Sequence, residues 1–209
     1  MELEEAILNR RSIRKYKQED ISTSQVEELL RLASWAPSAN NFQMWFFYAI
    51  HSRETREKIA QAIEEKLEEV LSWPELQALK ERLSWMSRYA RFIREAPWLI
   101  VFCMDDYKSA FEEILIKKGF DKEKLEKWRP HAEIQSVSAA IQNFLLAAHA
   151  RGFGAVWMVG PLFAVEELEK ILEIPQGRRI LALVPLGYPD EKPEPKPRKN
   201  PEDTWKFIL

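Results

Sequence analysis

Seven consecutive apolar residues, Trp98-Leu-Ile-Val-Phe-Cys-Met104, constrain the fold of this 209-residue chain more than any other stretch. The run contains β-branched residues and is far shorter than a membrane span, so it reads as a buried strand that ends at Asp105. Two more strands are expected, at Trp45 to Ile50 and at Arg179 to Leu186, the second ending in Gly187-Tyr188-Pro189. Cys103, the only cysteine, lies inside the buried run. That placement excludes an internal disulfide and suits a reducing compartment.

The remaining apolar residues recur mainly at helical spacing. Leu3, Ile7 and Leu8 with Glu2, Glu4 and Glu5 predict a short amphipathic helix over 1–9, with acid in its first turn and Arg10-Arg11 at its end. Ser22-Thr23-Ser24 offers N-caps for a second helix, on which Val26, Leu29, Leu30 and Ala33 repeat until Pro37 interrupts. From Arg53 to Ala96 the pattern predicts two long charged helices separated at Trp73-Pro74. Leu76, Leu79, Leu83, Met86, Ala90 and Ile93 form the stripe of the second, assigned to packing against the sheet or a partner subunit, which leaves Tyr89, Arg91 and Arg94 on its solvated face. Between Tyr107 and Arg129, four aromatics in a charged segment fit either a lid or two ordinary short helices around Gly119. Ile134, Val137, Ser138, Ile141, Phe144, Leu145 and Ala148 mark a central, mostly buried helix over 130–151, and its small residues permit close approach of another helix.

Gly152-Phe153-Gly154 fails as a dinucleotide fingerprint, because Trp157 stands where the third glycine belongs and a helix precedes it. Gly152 instead suits a helix C-cap. Leu162 to Leu172 reads as a further short helix. Pro193, Pro195, Pro197 and Pro201 then stiffen an extended arm, residues 190–209, whose apolar end, Thr204 to Leu209, is expected to dock as an edge strand.

An apolar fraction of 46% with eight Trp and eleven Phe describes a globular chain, read as one domain over residues 1–209. A formal net charge of -2 gives no basic footprint for nucleic acid. There is no signal pattern, no span-length apolar segment and no metal-ligand cluster, so a cytoplasmic protein without a membrane role is expected.

Against this balance, Asn9-Arg-Arg-Ser-Ile-Arg-Lys-Tyr16 is locally cationic. Arg10 and Arg14 share a face if the turn is helical, and their planar forks with the Ser12 hydroxyl suit a phosphate monoester. The alternative is a helix end whose cations are simply solvated. Ala36-Pro-Ser-Ala-Asn-Asn-Phe-Gln-Met-Trp45 is a loop dense in short polar groups that bond either a ligand or their own backbone. Lys196, Arg198 and Lys199 form a second basic cluster. His51, His131 and His149 fit structural roles.

Four blocks in this order resemble the FMN-dependent nitroreductase (NADH oxidase-like) superfamily: Arg10 to Arg14, Ala36 to Gln43, the helix-to-strand passage Ala140 to Gly160, and Leu183 to Arg198. Met44 departs from the proline often found there. The resemblance implies an α+β fold, a mixed and mainly antiparallel sheet flanked by helices as a three-layer sandwich. It also implies a homodimer with two flavins at its interface and a C-terminal arm crossing to the partner. By the same resemblance, Arg10, Arg14 and Arg198, with Lys196, hold the FMN phosphate, while Arg11 and Ser12 reach ribityl or ring edge. Ser38, Asn41 and Gln43 bond ribityl and pyrimidine atoms, Pro37 packs on the ring, and Val159 and Gly160 offer backbone near N5. No side-chain acid or base is expected. The implied activity is hydride transfer from NADH or NADPH through FMN to a small electron-poor acceptor such as a nitroaromatic, quinone or flavin. Same-fold alternatives are reductive dehalogenation, oxidative flavin cleavage, and flavin binding without turnover.

Overall fold

The computed structural model describes residues 2–107, 109–128 and 130–208. The seven-residue run extends by one to become β2 (Trp98–Asp105), and its alternation decides the architecture. Trp98, Ile100, Phe102 and Met104 point to one apolar cluster, whereas Leu99, Val101 and Cys103 point to another on the opposite face. The sheet order is β1 (Trp45–Ile50), β2, β4 (Arg178–Gly187) and β3 (Gly154–Ala155), and every ladder is antiparallel. An isolated bridge between Ser12 and Ala155 adds a parallel pairing at the β3 edge. The expected α+β class with a mainly antiparallel sheet is therefore the observed one.

Helices α2 (Thr23–Ala33) and α8 (Ala132–Ala150) cover the first face. The second is covered by α3 (Arg53–Leu71), α5 (Arg88–Glu95) and α9 (Val165–Ile171). Ser22 and Gln25 form a reciprocal capping box at the start of α2. The α8 helix ends as expected at Gly152, with φ +80, where the Gly152 N–H donates to His149 O at 2.9 Å and the Phe153 N–H to Ala148 O at 2.9 Å. His51 stacks on Trp98 at 4.6 Å and reaches Asp20 at 3.0 Å, a structural contact.

Two expectations need correction. The second long helix of 53–96 is broken into a 3-10 turn (Pro74–Leu79), α4 (Lys80–Leu83), another 3-10 turn (Ser84–Ser87) and α5. Leu76 to Leu79 and Leu83 to Met86 are spaced by three, which suits the three-residue turn, and in this stripe only Ala90 and Ile93 are buried. Second, the described part of the C-terminus, 204–208, joins no strand, and Leu209 lies outside the described residues. Phe207 is 79% and Ile208 93% exposed, because the arm leaves the sheet at Asp190 and its prolines lack the donors a ladder needs. Helix α1 (Leu3–Asn9) ends at Asn9 as expected, and the basic turn beyond it is not helical, so Arg10 and Arg14 do not share a helix face.

The segment after β2 forms α6 (Ala110–Lys117) and α7 (Lys122–Trp128), the ordinary helical alternative, with Phe120 edge-on to Trp128 at 4.9 Å. No described helix is long and apolar enough to cross a membrane. Phe144 of α8 is fully buried and packs edge-on against Phe102 of β2 at 5.5 Å, tying helix to sheet. Phe144→Ala is expected to cost about 3–5 kcal/mol. Urea unfolding at fixed protomer concentration checks this through a lower midpoint at unchanged slope; a loss below about 1 kcal/mol would mean the contact is not central.

Candidate functional site

After α1 the chain runs extended along the β3 edge of the sheet. The Ile13 N–H donates to Ala155 O at 3.1 Å, the Lys17 N–H to Tyr188 O at 3.0 Å, and the Asp190 N–H to Lys15 O at 3.0 Å. Gly154 permits this approach, since a Cβ there would lie 2.7 Å from the Ile13 side chain. Extended backbone also places alternate residues on one side, so Arg10, Ser12 and Arg14 still converge although the helix ended. All three line a cavity of about 460 Å³.

Lys196 and Arg198 line the same cavity from the C-terminal arm, together with Arg11 and one carboxylate, Glu194. Burial, then the nearby Arg11 and Arg198 charges, hold the Arg10 guanidinium below its ordinary pKa. Two clusters almost two hundred residues apart in sequence thus meet in space. Arg11 donates from Nη1 to Leu8 O at 2.8 Å and Arg10 O at 2.9 Å, whereas its buried Nε has no hydrogen-bond partner. A cradle of guanidiniums with an unsatisfied donor fits a multiply charged oxyanion such as a phosphate monoester.

Arg14 lines a second cavity as well, of about 380 Å³, whose wall includes Val159, Gly160, Trp85, Arg88, Tyr89 and Trp157. Tyr89 presses on Gly160 so closely that a Cβ there would lie 2.2 Å from its hydroxyl. Tyr89 is half-buried in this wall and is not the solvated-face residue the sequence suggested, and its burial raises its pKa. Trp85, Arg88 and Trp157 were missed by sequence reasoning. Their signal is weak, since Trp85 and Arg88 lie in the segment read as one regular helix.

The polar loop behaves differently. Ser38 Oγ accepts from the Gln43 N–H at 3.0 Å, and Gln43 Nε2 donates to Asn41 Oδ1 at 3.2 Å. Asn40, Asn41 and Gln43 all hold positive φ of 50–56, and such strained backbone concentrates at functional sites. Pro37, Asn41 and Gln43 are exposed. None of Pro37, Ser38, Asn41 or Gln43 lines either cavity. The loop is fastened near the start of α8, where the Ala39 N–H donates to Ser136 Oγ at 3.2 Å, whereas the arginines lie near its end at His149. Thirteen residues of helix separate these anchors by about 20 Å. One chain therefore brings together Arg10, Arg11, Ser12, Arg14, Lys196 and Arg198, and joins Val159 and Gly160 through Arg14, but leaves the loop apart.

The nitroreductase family model matches residues 7–188. A Methanothermobacter thermautotrophicus protein provisionally named NADH dehydrogenase/NAD(P)H nitroreductase is 33% identical over 97% of this chain and 85% of its own length. An iodotyrosine deiodinase of Thermotoga neapolitana is 28% identical over 91% and 90% of the two chains. Among solved structures, a BluB-like flavoprotein from Clostridium difficile 630 superposes with a TM-score of 0.83 at 29% identity, covering 100% of each chain. The chain belongs to the nitroreductase family, a family of oxidoreductases.

His149 reports on the cradle. It lines a third cavity, of about 630 Å³, with Arg11, and its buried Nε2 has no hydrogen-bond partner. Burial, then Arg10 and Arg11, push its pKa below the ordinary 6.5. The folded state thus favours neutral imidazole, so stability associated with this group is complete above pH 6.5 and declines as pH falls below it, where the unfolded chain takes up the proton first. A proton NMR titration is expected to place His149 below 6.5 in the anion-free protein and to shift it upward when inorganic phosphate binds. No response to phosphate would separate His149 from the cradle.

Proposed function

We propose that this chain acts as a homodimeric NAD(P)H oxidoreductase that uses FMN to reduce small electron-poor acceptors. The observation that carries the reading is the convergence of Arg10, Arg11, Ser12 and Arg14 with Lys196 and Arg198 on one cavity that shares Arg14 with the Val159–Gly160 cavity. In this reading Arg10, Arg14, Lys196 and Arg198 neutralise the phosphate, while Arg11 and Ser12 donate toward the ribityl chain or ring edge. Val159 and Gly160 supply backbone donors that titrate at no working pH, and the surrounding aromatics keep water from the ring. The chemistry supplied by bound FMN is the relay of hydride from NAD(P)H to an acceptor such as a nitroaromatic, quinone or flavin.

Ser38, Asn41 and Gln43, with Pro37, complete the site from a second copy. Two observations support this: the loop and the cradle meet α8 at anchors about 20 Å apart along the helix, and the apolar residues Trp205, Phe207 and Ile208 are 60–93% exposed. An apolar face of that kind on an isolated subunit suits burial against another. The iodotyrosine deiodinase and BluB-like similarities support a second reading, a same-fold flavin enzyme of dehalogenating or flavin-cleaving chemistry. Anaerobic mixing with NADH and then NADPH tests the choice. Rapid bleaching of the flavin followed by reoxidation with a quinone or nitroaromatic is expected; slow reduction by both nucleotides favours the second reading.

Arg10→Ala and Arg198→Ala each remove charge-assisted hydrogen bonds worth about 1.5–3 kcal/mol. Each is expected to weaken FMN at least tenfold in a fluorescence titration, and unchanged curves in both would return the clusters to solvated surface. The shared site is checked by mixing Arg10→Ala chains with Asn41→Ala chains. If the two residues come from different subunits, each hybrid dimer regains one intact site and tight FMN binding reappears; a site within one chain predicts no recovery.

A further inference from the structure

Charge is evenly balanced along this chain, with 33 acidic and 31 basic residues, yet the second cavity departs from that balance. Arg14 and Arg88 both line it, and no carboxylate is among its described lining residues. The three arginines of α5 differ in their partners. Arg91 pairs with Glu95 at 3.8 Å, and Arg94 is held by Glu57 at 2.8 Å and Glu64 at 2.5 Å. Arg88 is exposed and forms no ion pair among the described residues. Its side chain is therefore available to an anion that enters the cavity.

The walls beside it are flat. Trp85 meets Tyr89 edge-on at 5.5 Å, Trp157 is a further wall, and the Tyr89 hydroxyl closes on Gly160. Aromatic walls favour a planar ring, and a guanidinium fork matches a carboxylate with two parallel hydrogen bonds. We propose that Arg88 is a specificity-determining residue, selecting aromatic acceptors that carry a carboxylate over neutral ones of the same shape. This rests on the proposed function, with the acceptor entering the Val159–Gly160 cavity beside the flavin ring.

The test uses the FMN-loaded protein with 4-nitrobenzoate and its methyl ester. The reaction converts ArNO2 with NADH and a proton to ArNO, NAD+ and water, so two electrons leave the nucleotide and one nitro oxygen leaves as water. At saturating NADH the native protein is expected to favour the acid over the ester by roughly tenfold in kcat/KM, carried by KM, with the preference shrinking as salt rises. Arg88→Gln should bring acid and ester to near parity by weakening only the acid, and Arg88→Lys, which keeps the charge without the fork, should retain part of the preference. Calorimetric titration of the oxidised protein with each compound should give the same order without turnover. The proposal is overturned if the native protein shows no preference, if Arg88→Gln weakens acid and ester alike, or if its effect is confined to the KM for NADPH, which assigns Arg88 to a donor phosphate. If neither nucleotide reduces the flavin, the oxidoreductase reading fails separately, and the calorimetric comparison of native and Arg88→Gln protein still decides the role of Arg88.

Discussion

Three guanidinium groups, Arg10, Arg11 and Arg198, are held near one another against their mutual repulsion, and backbone hydrogen bonds do the holding. The segment after α1 is laid on the β3 edge through Ile13 and Ala155, while Lys15 and Lys17 pair with the chain leaving β4. Those same pairings aim the C-terminal arm back toward the first arginine. Burial first, and then the charges of Arg11 and Arg198, hold Arg10 below its ordinary pKa, a state that a bound oxyanion would relieve. A cradle built on sheet-edge pairing is also stiffer than one built on long surface side chains alone, so little ordering remains to be done when an anion arrives.

The rest of the molecule serves this edge. A β2 strand covered on both faces provides a rigid plate, with α8 and α2 on one side and α3, α5 and α9 on the other. The buried α8 helix then separates two polar regions, the strained 38–43 loop at its start and the arginine cradle at its end. Rigidity explains why one chain leaves them apart: a helix packed along its length cannot bend to bring its ends together. In a two-fold assembly the start of one α8 can approach the end of the other, which is the arrangement the proposed function requires.

Most of the layers were legible in the residues. Trp98 to Met104 declares a buried strand through its continuous apolar character, and Ser22, Gly152 and Pro37 punctuate helices through capping and backbone limits that act locally. Leu76 to Met86 misled, because apolar residues spaced by three or four satisfy a regular helix and a series of 3-10 turns about equally, and the choice depends on what packs against them. The C-terminal residues misled for a related reason. Apolar alternation shows that a segment needs covering, without showing whether its own sheet has a free edge in reach.

Sequence by itself determined which groups exist for the chemistry: two basic clusters, a polar loop, a sheet with helices, and a family pattern linking them. It also determined how many residues lie between them. Only the tertiary structure decided that Arg10 and Arg198 meet, that Arg14 borders two cavities, and that Tyr89, Trp85 and Arg88 wall the second. The reason is physical. Capping, turn preference and strand alternation depend on neighbours a few residues apart, whereas the meeting of two cationic clusters from opposite ends of the chain depends on which strand edges remain unpaired once the core has formed.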